Sequence, residues 1–414
     1  MDILKKCYEY TEVEESKKTG LYPYFHALQT AQDTEVMMDG KRIIMIGSNN
    51  YMGLTNDPRT AQAAKDAIDK YGTGCSGSRF LNGTLELHEQ LEAALADFFH
   101  KENALTFSTG FQSNLGIISS LVGRRDYIFN DGENHASIVD ACRLSFAKKM
   151  LRFEHNDMDA LEAKLARIPE DAGKLIITDG VFSMSGDIAK LPELVELAKK
   201  YDATLMVDDA HGVGMIGKNG RGTASHFGLE DEVDIIMTTF SKSLASLGGC
   251  MAADEAVINY VKHKSRPFIF SASIPPGNAA AAMEALKIML AEPQRQEDLI
   301  EISNYMRAKL KEAGIPIIEG TTAIIPVFTY DMTRTFLITK MLFDAGVYVN
   351  PVIPPAVKNG ECMLRTSYTA THTQEQMDTA VEAFKYVFGN VDDVMAQMAA
   401  QVEELNRLQT QRNG

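Results

Sequence analysis

The stretch Asp234-Ile-Ile-Met-Thr-Thr-Phe-Ser-Lys242-Ser243 decides the fold, because a short apolar run ends in small hydroxyl residues around a lysine. Upstream, a second apolar run, Thr204-Leu-Met-Val207, leads into Asp208, and His211 follows three residues later. Short apolar runs of this kind are typical of strands buried in a parallel sheet. Ligands of open α/β sheets bind just outside the carboxyl ends of such strands. The two segments therefore predict a lysine and a carboxylate at one ligand-binding edge.

A lysine and an acid in these positions are the two groups that pyridoxal 5'-phosphate (PLP) needs. The amine of Lys242 can form a Schiff base with the cofactor aldehyde, and Asp208 can keep the pyridine nitrogen protonated. The strand-end position, the neighbouring serines and the following Gly248-Gly249 favour this interpretation over a solvated surface lysine. Asp208 could instead cap a helix, and His211 could be a structural histidine or a donor to the phenolic oxygen of PLP.

Composition narrows the class of protein. The chain has 414 residues, of which 45% are hydrophobic and 23% charged, as in ordinary globular proteins. The net charge of -15 argues against general nucleic-acid binding and against adsorption to anionic lipid. Five scattered cysteines without a CxxC pair argue against a disulfide framework or a zinc site and predict a cytoplasmic protein. The sequence has neither a signal-peptide pattern nor an apolar run of about 18 residues, so we expect no transmembrane segment.

Four regions follow one another along the chain. Residues 1–46 are predicted to form a helical arm and a hairpin, with Asp39-Gly40 at its turn. Residues 47–290 alternate short apolar runs with amphipathic segments, which predicts parallel strands between helix layers. Residues 291–390 predict a smaller α+β domain, and residues 391–414 predict a terminal helix.

Individual elements can be placed within these regions. In the large domain we expect strands at 104–107, 127–130, 175–178, 204–207 and 235–238, and helices that include 85–99, 158–167 and 191–200. In the smaller domain we expect helices at 297–313 and 333–345 and strands at 315–318, 323–329 and 363–366.

Further motifs are compatible with ligand binding, each with a plainer alternative. Ser108-Thr-Gly-Phe-Gln-Ser-Asn114 is a strand-to-helix turn whose free backbone N–H groups can bind phosphate or simply start a helix. His135 could stack on a flat ring or lie in a loop. Arg79, in the glycine-rich stretch 71–84, is a candidate anion contact or a surface arginine. Arg365 suits a bidentate carboxylate or a structural salt bridge.

Taken in order, these motifs resemble the α-oxoamine synthases, a family of fold type I PLP enzymes. The resemblance extends from about residue 20 to residue 390. The matching stretches are 48–54, 72–84, 108–112, 134–138, 179–184, 207–212, 239–243 and Arg365. The family's fold implies an α/β large domain with a mostly parallel, seven-stranded sheet between helices, plus a smaller α+β C-terminal domain.

The resemblance implies a role for each matched residue. Lys242 would hold PLP, Asp208 would pair with the pyridinium nitrogen, and His211 would contact the ring hydroxyl. His135 would stack on the ring and orient the substrate carboxylate. The other implied contacts are Gly110, Phe111, Thr239 and Ser241 near the phosphate, Ser183 near the ring, Ser273 reaching the phosphate of the neighbouring subunit, and Asn50 and Arg365 on the substrate carboxylate.

The activity implied by the resemblance is decarboxylative condensation of an amino acid with an acyl-CoA thioester, in a homodimer with shared active sites. An aminotransferase would use the same lysine with a 2-oxo acid, and a catalytically silent partner subunit would keep only the fold. Ser185 stands where relatives usually carry an acid, a departure that bears on the exact substrate rather than on the chemistry.

Overall fold

A computed structural model of the chain describes residues 2–412, with side chains described for residues 2–401. Its strands, in chain order, are β1 (Glu35–Met38), β2 (Lys41–Met45), β3 (Asn103–Phe107), β4 (Tyr127–Asp131), β5 (Lys149–Phe153), β6 (Lys174–Asp179), β7 (Thr204–Asp208), β8 (Ile235–Thr239), β9 (Gly249–Ala253), β10 (Ile324–Tyr330), β11 (Val347–Tyr348), β12 (Asn350–Val352) and β13 (Cys362–Ser367). Its helices are α1 (Lys5–Tyr8), α2 (Glu12–Lys18), α3 (Pro58–Tyr71), α4 (Glu86–Phe99), α5 (Gly110–Leu121), α6 (Ala136–Leu144), α7 (Met158–Leu165), α8 (Leu191–Tyr201), α9 (Thr223–Phe227), α10 (Glu255–Lys264), α11 (Arg266–Ile269), α12 (Pro276–Ala291), α13 (Gln294–Glu312), α14 (Met332–Asp344) and α15 (Gln374–Arg412).

A seven-stranded sheet forms the centre of the molecule, in the order β3-β9-β8-β7-β6-β4-β5. The strands β8, β7, β6, β4 and β5 run parallel, whereas β9 is antiparallel to both of its neighbours. This sheet confirms the predicted fold class. The five strands expected from the sequence are all present, and each is slightly longer than predicted. The added residues place Asp131, Asp179, Asp208 and Thr239 at the carboxyl ends of β4, β6, β7 and β8.

Two strands of this sheet were not predicted. The edge strand β5 mixes charged and apolar residues, Lys-Met-Leu-Arg-Phe, and therefore lacks a continuous apolar run. The buried strand β9, Gly-Cys-Met-Ala-Ala, has no β-branched residue. Both segments become strands through pairing with neighbours, β5 with β4 and β9 with β3 and β8.

The sheet separates two apolar layers. Adjacent residues of one strand belong to different layers, as Ile176 and Ile177 of β6 do, because side chains alternate across a sheet. Helices α5, α6 and α10 contribute buried residues to the layer that contains Ile177, and α4, α8 and α12 contribute to the other. Burial on both faces explains why these strands read as apolar runs.

The N-terminal hairpin was predicted correctly. Asp39 and Gly40 both have positive φ, +48° and +74°, as a tight hairpin turn requires, and β1 pairs with β2 on either side of them. The late strand β11 then pairs in parallel with β2 and builds a second, three-stranded sheet. The hairpin is therefore tied to the C-terminal part of the chain.

The C-terminal region contains a third sheet, in the order β10-β13-β12, and the long helix α15. Residues 315–318, predicted as a strand, contribute only a bridge between Ile317 and Val327. Pro316, which has no N–H to donate, interrupts this segment. Helix α15 continues through residue 390, where the sequence suggested a boundary, and Val387 and Val391 are buried one turn apart on its packed face. None of the described helices combines the length and apolar character needed to cross a membrane.

Candidate active site

A cavity of about 270 Å³ opens at the carboxyl edge of the central sheet. Strands β6, β7 and β8 end there, and the segment after β8 supplies Lys242. The predicted residues that line the cavity are Gly110, Phe111, His135, Asp208, His211, Thr239, Ser241 and Lys242. Residues far apart in sequence are therefore brought to one place by the parallel order of the strands.

Lys242 lies at the cavity wall, packed among protein atoms and partly accessible to solvent through the opening. Burial lowers the pKa of its amine from 10.5 to about 8, against the opposing influence of Asp208 and Asp179. A neutral amine is the form that attacks a carbonyl and that accepts a proton. Lys242 is therefore prepared for nucleophilic and base chemistry near neutral pH.

Asp208 is held by donors on both of its oxygens. The side-chain amide of Asn114, in α5, donates to Oδ2 at 2.7 Å, and the backbone N–H of Ala210 donates to Oδ1 at 3.0 Å. The same amide nitrogen also donates to the Ser137 hydroxyl at 2.9 Å. These hydrogen bonds hold the carboxyl group in a fixed orientation, as a partner for a cationic ring nitrogen must be.

His135 is the N-cap of helix α6. Its Nδ1 accepts from the backbone N–H of Ser137 at 3.2 Å, so the proton of the neutral ring resides on Nε2. Burial lowers the pKa of the imidazole, and the nearby Lys242 lowers it as well while Asp208 raises it. A neutral, flat ring with one free donor is suited to stacking on an aromatic cofactor and to binding a carboxylate.

A second carboxyl group, Asp179, was not predicted as a site residue. It ends β6 beside Asp208 and accepts from the backbone N–H of His135 through Oδ2 at 3.2 Å, whereas Oδ1 is buried without a hydrogen-bond partner among the described residues. Burial, and then the adjacent Asp208, raise the pKa of Asp179 well above its usual value. Asp179 thus tends to keep a proton next to Lys242.

The N-terminus of α5 packs against the end of β8. A Cβ at Gly110 would lie 2.6 Å from Oγ1 of Thr239, so no larger residue fits there. The Thr239 hydroxyl lies 3.0 Å from that of Ser241, and Thr109 caps the helix. Free N–H groups at a helix start together with two hydroxyl groups form an anion site of the kind that binds phosphate.

Tyr51, which was not predicted as a site residue, connects His211 in the cavity wall with Arg365. The Tyr51 hydroxyl lies 2.7 Å from His211 Nδ1 and accepts from Arg365 Nη2 at 3.1 Å. Burial lowers the pKa of His211 well below its usual value, and Lys242 and Arg365 lower it further. The imidazole is therefore neutral.

Arg365 does not line the cavity as it stands, but it lies close behind it. Its guanidinium donates to the Ser183 carbonyl, to Ser367 Oγ at 3.2 Å and to Asn49 Oδ1 at 2.9 Å. Arg365 is buried, with 5% of its surface exposed. Even so, no carboxylate among the described side chains forms an ion pair with it. A buried cation of this kind is available to an incoming anion.

Asn49 contacts Arg365, whereas its neighbour Asn50 is the residue predicted to contact the substrate carboxylate. The side-chain oxygen of Asn50 accepts from Leu54 and Thr55, and it thereby fixes the turn that follows. Neighbouring asparagines cannot be distinguished in a sequence, because the backbone decides which one faces the site. The carboxylate contact predicted for Asn50 fits Asn49 better.

Arg79, predicted as an anion contact, forms a buried ion pair within the chain. Its guanidinium forms a two-pronged ion pair with Glu92 at 2.6 and 2.9 Å, and it donates to the hydroxyl groups of Thr84 and Thr106. Arg79 and Glu92 are both buried. With its donors engaged in this way, Arg79 holds the glycine-rich loop against α4 and β3.

Ser183 and Ser185 belong to a loop that His155 holds in place. His155 contacts Asp131 Oδ1 through Nδ1 at 2.9 Å and Asp187 Oδ2 through Nε2 at 2.8 Å. The Ser185 hydroxyl donates to the other oxygen of Asp187 and so helps to hold this carboxylate. The backbone carbonyl of Ser183 accepts a hydrogen bond from Arg365. The predicted position of Ser183 near the ring therefore depends on how this loop is held.

Ser273 lies apart from the cavity. Its backbone N–H and its hydroxyl both donate to the carbonyl of Gly77, at 3.1 and 3.2 Å, and its side chain is buried. A Cβ at Gly83 would lie 2.4 Å from the Ser273 hydroxyl. Within this chain Ser273 therefore fastens the glycine-rich loop.

The cavity fits PLP group by group. It offers a lysine of lowered pKa for the aldehyde, a fixed carboxyl group for the ring nitrogen, a flat neutral histidine and a helix-start anion site. Asn114 Oδ1 and Asp179 Oδ1 are buried and lack partners among the described residues. These two oxygens are therefore available to hydrogen-bond with a bound ligand. The fold and this site define a fold type I PLP-dependent enzyme.

Comparison with known proteins agrees with this class. Residues 41–384 match the family model described as aminotransferase class I and II. A serine palmitoyltransferase from Sphingobacterium spiritivorum is 56% identical over 91% of this chain and 94% of its own length. An 8-amino-7-oxononanoate synthase from Exiguobacterium sibiricum is 44% identical over 91% of this chain and 96% of its own. A solved serine palmitoyltransferase from S. paucimobilis, with bound PLP-myriocin aldimine, superposes with a TM-score of 0.91 at 36% identity, covering 95% of this chain and 100% of that one.

The chain belongs to the α-oxoamine synthases, a family of PLP-dependent acyltransferases. This assignment confirms the resemblance found in the sequence motifs.

Proposed function

We propose that the protein condenses L-serine with a long-chain acyl-CoA, palmitoyl-CoA, and releases CoA and CO2. The product is 3-ketodihydrosphingosine, and the reaction is the first step of sphingolipid synthesis. The observation that carries this proposal is the 56% identity to a serine palmitoyltransferase over 91% of the chain, higher than the 44% to an 8-amino-7-oxononanoate synthase. Amino acid and acyl-CoA are thus the small-molecule partners.

PLP would be held by Lys242, Asp208, His211 and the helix-start site of Gly110 and Thr239, and when bound it supplies an electron sink for the α-carbon. Lys242 removes the α-proton of the bound serine, which its lowered pKa favours. The Asp208 carboxylate, fixed by Asn114, would stabilise positive charge on the ring nitrogen of PLP. The α-carbon then attacks the thioester carbonyl, the C–S bond breaks, and CoA leaves as a thiol.

The serine carboxylate is the group that must be both held and lost. Arg365 and Asn49 offer it a buried cation and an amide, and the free Nε2–H of His135 is a further donor. Such contacts fix which α-carbon bond stands perpendicular to the ring plane, and this selects the bond that breaks. After condensation the same carbon loses CO2 and is reprotonated.

A homodimer with shared active sites is part of the proposal. Phe80, Leu81, Phe111, Leu247 and Phe270 are exposed apolar residues, and Phe111 and Leu247 also line the cavity. Exposed aromatic and aliphatic residues beside a site favour its completion by another subunit. Ser273 would then serve the phosphate of the neighbouring subunit.

Five free cysteines support the cytoplasm as the compartment.

The test is an absorbance titration of the PLP-loaded protein with serine, glycine and alanine, followed by palmitoyl-CoA, acetyl-CoA or pimeloyl-CoA. We expect a spectral change with serine and CoA release only with the long-chain thioester. A response to glycine with acetyl-CoA, or to alanine with pimeloyl-CoA, would move the protein to a sister activity. A protein without any PLP absorbance would be a catalytically silent partner.

A further inference from the structure

Tyr51 is a fully buried tyrosine, 0% exposed, whose hydroxyl lies between His211, which lines the cavity, and Arg365, which lies behind it. The hydroxyl is 2.7 Å from His211 Nδ1, 3.1 Å from Arg365 Nη2 and 3.2 Å from Asn49 Oδ1. The Tyr51 and His211 rings meet edge to face, with centroids 6.0 Å apart. Three polar partners around one buried hydroxyl leave little freedom in its hydrogen bonding.

The direction of each hydrogen bond follows from the groups involved. A guanidinium can only donate, so the Tyr51 oxygen accepts from Arg365, and its single O–H is left for one acceptor. Asn49 Oδ1 already accepts from Arg365 at 2.9 Å, and its separation from Tyr51 is the longer one. The much shorter separation, 2.7 Å to His211 Nδ1 against 3.2 Å to Asn49 Oδ1, favours the O–H pointing to His211.

The protonation states agree with this direction. Burial raises the pKa of the Tyr51 phenol, although Arg365 opposes the shift, so the phenol keeps its proton near neutral pH. His211 is neutral for the reasons given above. A neutral imidazole that accepts at Nδ1 carries its proton on Nε2.

We propose that Tyr51 is a positioning residue that locks His211 as the Nε2–H tautomer and couples this donor to the carboxylate-binding Arg365. His211 then presents a hydrogen-bond donor, rather than a lone pair, to the cavity that it lines. The proposal deepens the proposed function, because the donor would serve the ring oxygen of bound PLP. Binding of an anion at Arg365 would change the hydrogen bonding of His211, because both residues contact the Tyr51 hydroxyl.

The first test compares the absorbance of the PLP-loaded Tyr51→Phe variant with that of the unaltered protein. The ratio of the visible to the near-ultraviolet band of bound PLP reports the protonation of its ring oxygen. Losing one hydrogen bond of about 1 kcal/mol should change this ratio about fivefold and raise the KM for serine by a similar factor. The matched control is Tyr368→Phe, since Tyr368 is equally buried and its hydroxyl has Thr366 as its sole hydrogen-bond partner among the described residues.

The second test needs no variant of Tyr51. Nitrogen NMR of the histidine-labelled protein, with the His211 signal assigned by its loss in His211→Gln, identifies which ring nitrogen carries the proton. A protonated Nδ1 would overturn the proposal, as would an unchanged band ratio in a folded Tyr51→Phe protein. If the unaltered protein lacks PLP absorbance, the proposed function fails, and the NMR result still decides the tautomer.

Discussion

The amide nitrogen of Asn114 lies 2.7 Å from Oδ2 of Asp208, so a helix side chain orients the acid at the end of a neighbouring strand. The two residues are 94 positions apart, and only the packing of α5 on the sheet brings them together. The proposed partner of the ring nitrogen would therefore be a pair of residues, a carboxyl group and the amide that orients it.

Replacing Asn114 by alanine should weaken PLP binding about tenfold, because a hydrogen bond to a charged group contributes about 1.5 kcal/mol or more. Equilibrium dialysis of PLP against the variant measures the effect. Asn103→Ala is the matched control, since Asn103 begins β3 at the opposite end of the sheet from the cavity. An Asn114→Ala protein that binds PLP as well as the control would show that Ala210 alone suffices to hold Asp208.

PLP should enter the cofactor-free protein faster as the pH rises, with a midpoint near the lowered Lys242 pKa of about 8. The neutral amine is the nucleophile, and its fraction increases as the pH passes through the pKa. Stopped-flow absorbance at a series of pH values gives the midpoint, and Lys242→Ala serves as the variant that should form no Schiff base. A midpoint near 10.5, the ordinary value, would mean that burial does not tune this lysine.

Removing Arg79 should unfold the loop rather than impair substrate binding. Arg79→Ala leaves Glu92 buried without its partner, which costs on the order of 3 to 5 kcal/mol of unfolding free energy. Denaturant unfolding measures this loss, and Arg143→Ala is the comparison, since the exposed Arg143–Asp140 pair contributes about 1 kcal/mol at most. Unchanged stability together with a raised KM for serine would restore the original prediction of a substrate contact.

His155 should stabilise the 182–187 loop in its protonated form. Burial alone would lower its pKa, but hydrogen bonds to Asp131 and Asp187 raise it to about 10. Because the folded pKa lies above the unfolded value of about 6.5, this stabilisation is complete below that pH and is lost as the pH rises through 10. His155→Gln should therefore cost roughly 3 kcal/mol at low pH and much less near pH 10.

Unfolding curves at several pH values check the His155 prediction, with His263→Gln as the control for an exposed histidine. A pH-independent difference between His155→Gln and the unaltered protein would mean that the histidine acts only by packing against Phe182.

The sequence allowed the central strands and the residues at their carboxyl ends to be predicted, because buried parallel strands read as apolar runs. The positions of Asp208 and Lys242 in the cavity could be predicted because Asp208 follows such a run directly and Lys242 follows one within five residues. Asn114, Tyr51 and Asp179 could not be, since their roles depend on distances between segments that have no local signal.

The two arginines show the same limit. Arg79 and Arg365 both lie in suggestive stretches, yet one is paired with Glu92 and the other has no carboxylate partner among the described residues. Only the tertiary structure separates a structural ion pair from a cation that is free to bind an anion.

The most direct test of the whole account is a turnover measurement with L-serine isotopically labelled at its carboxyl carbon, together with palmitoyl-CoA. We expect labelled CO2 and free CoA in equal amounts, with 3-ketodihydrosphingosine as the product by mass spectrometry. Release of CoA with the label retained in the product, or turnover only with a short-chain thioester and another amino acid, would contradict it.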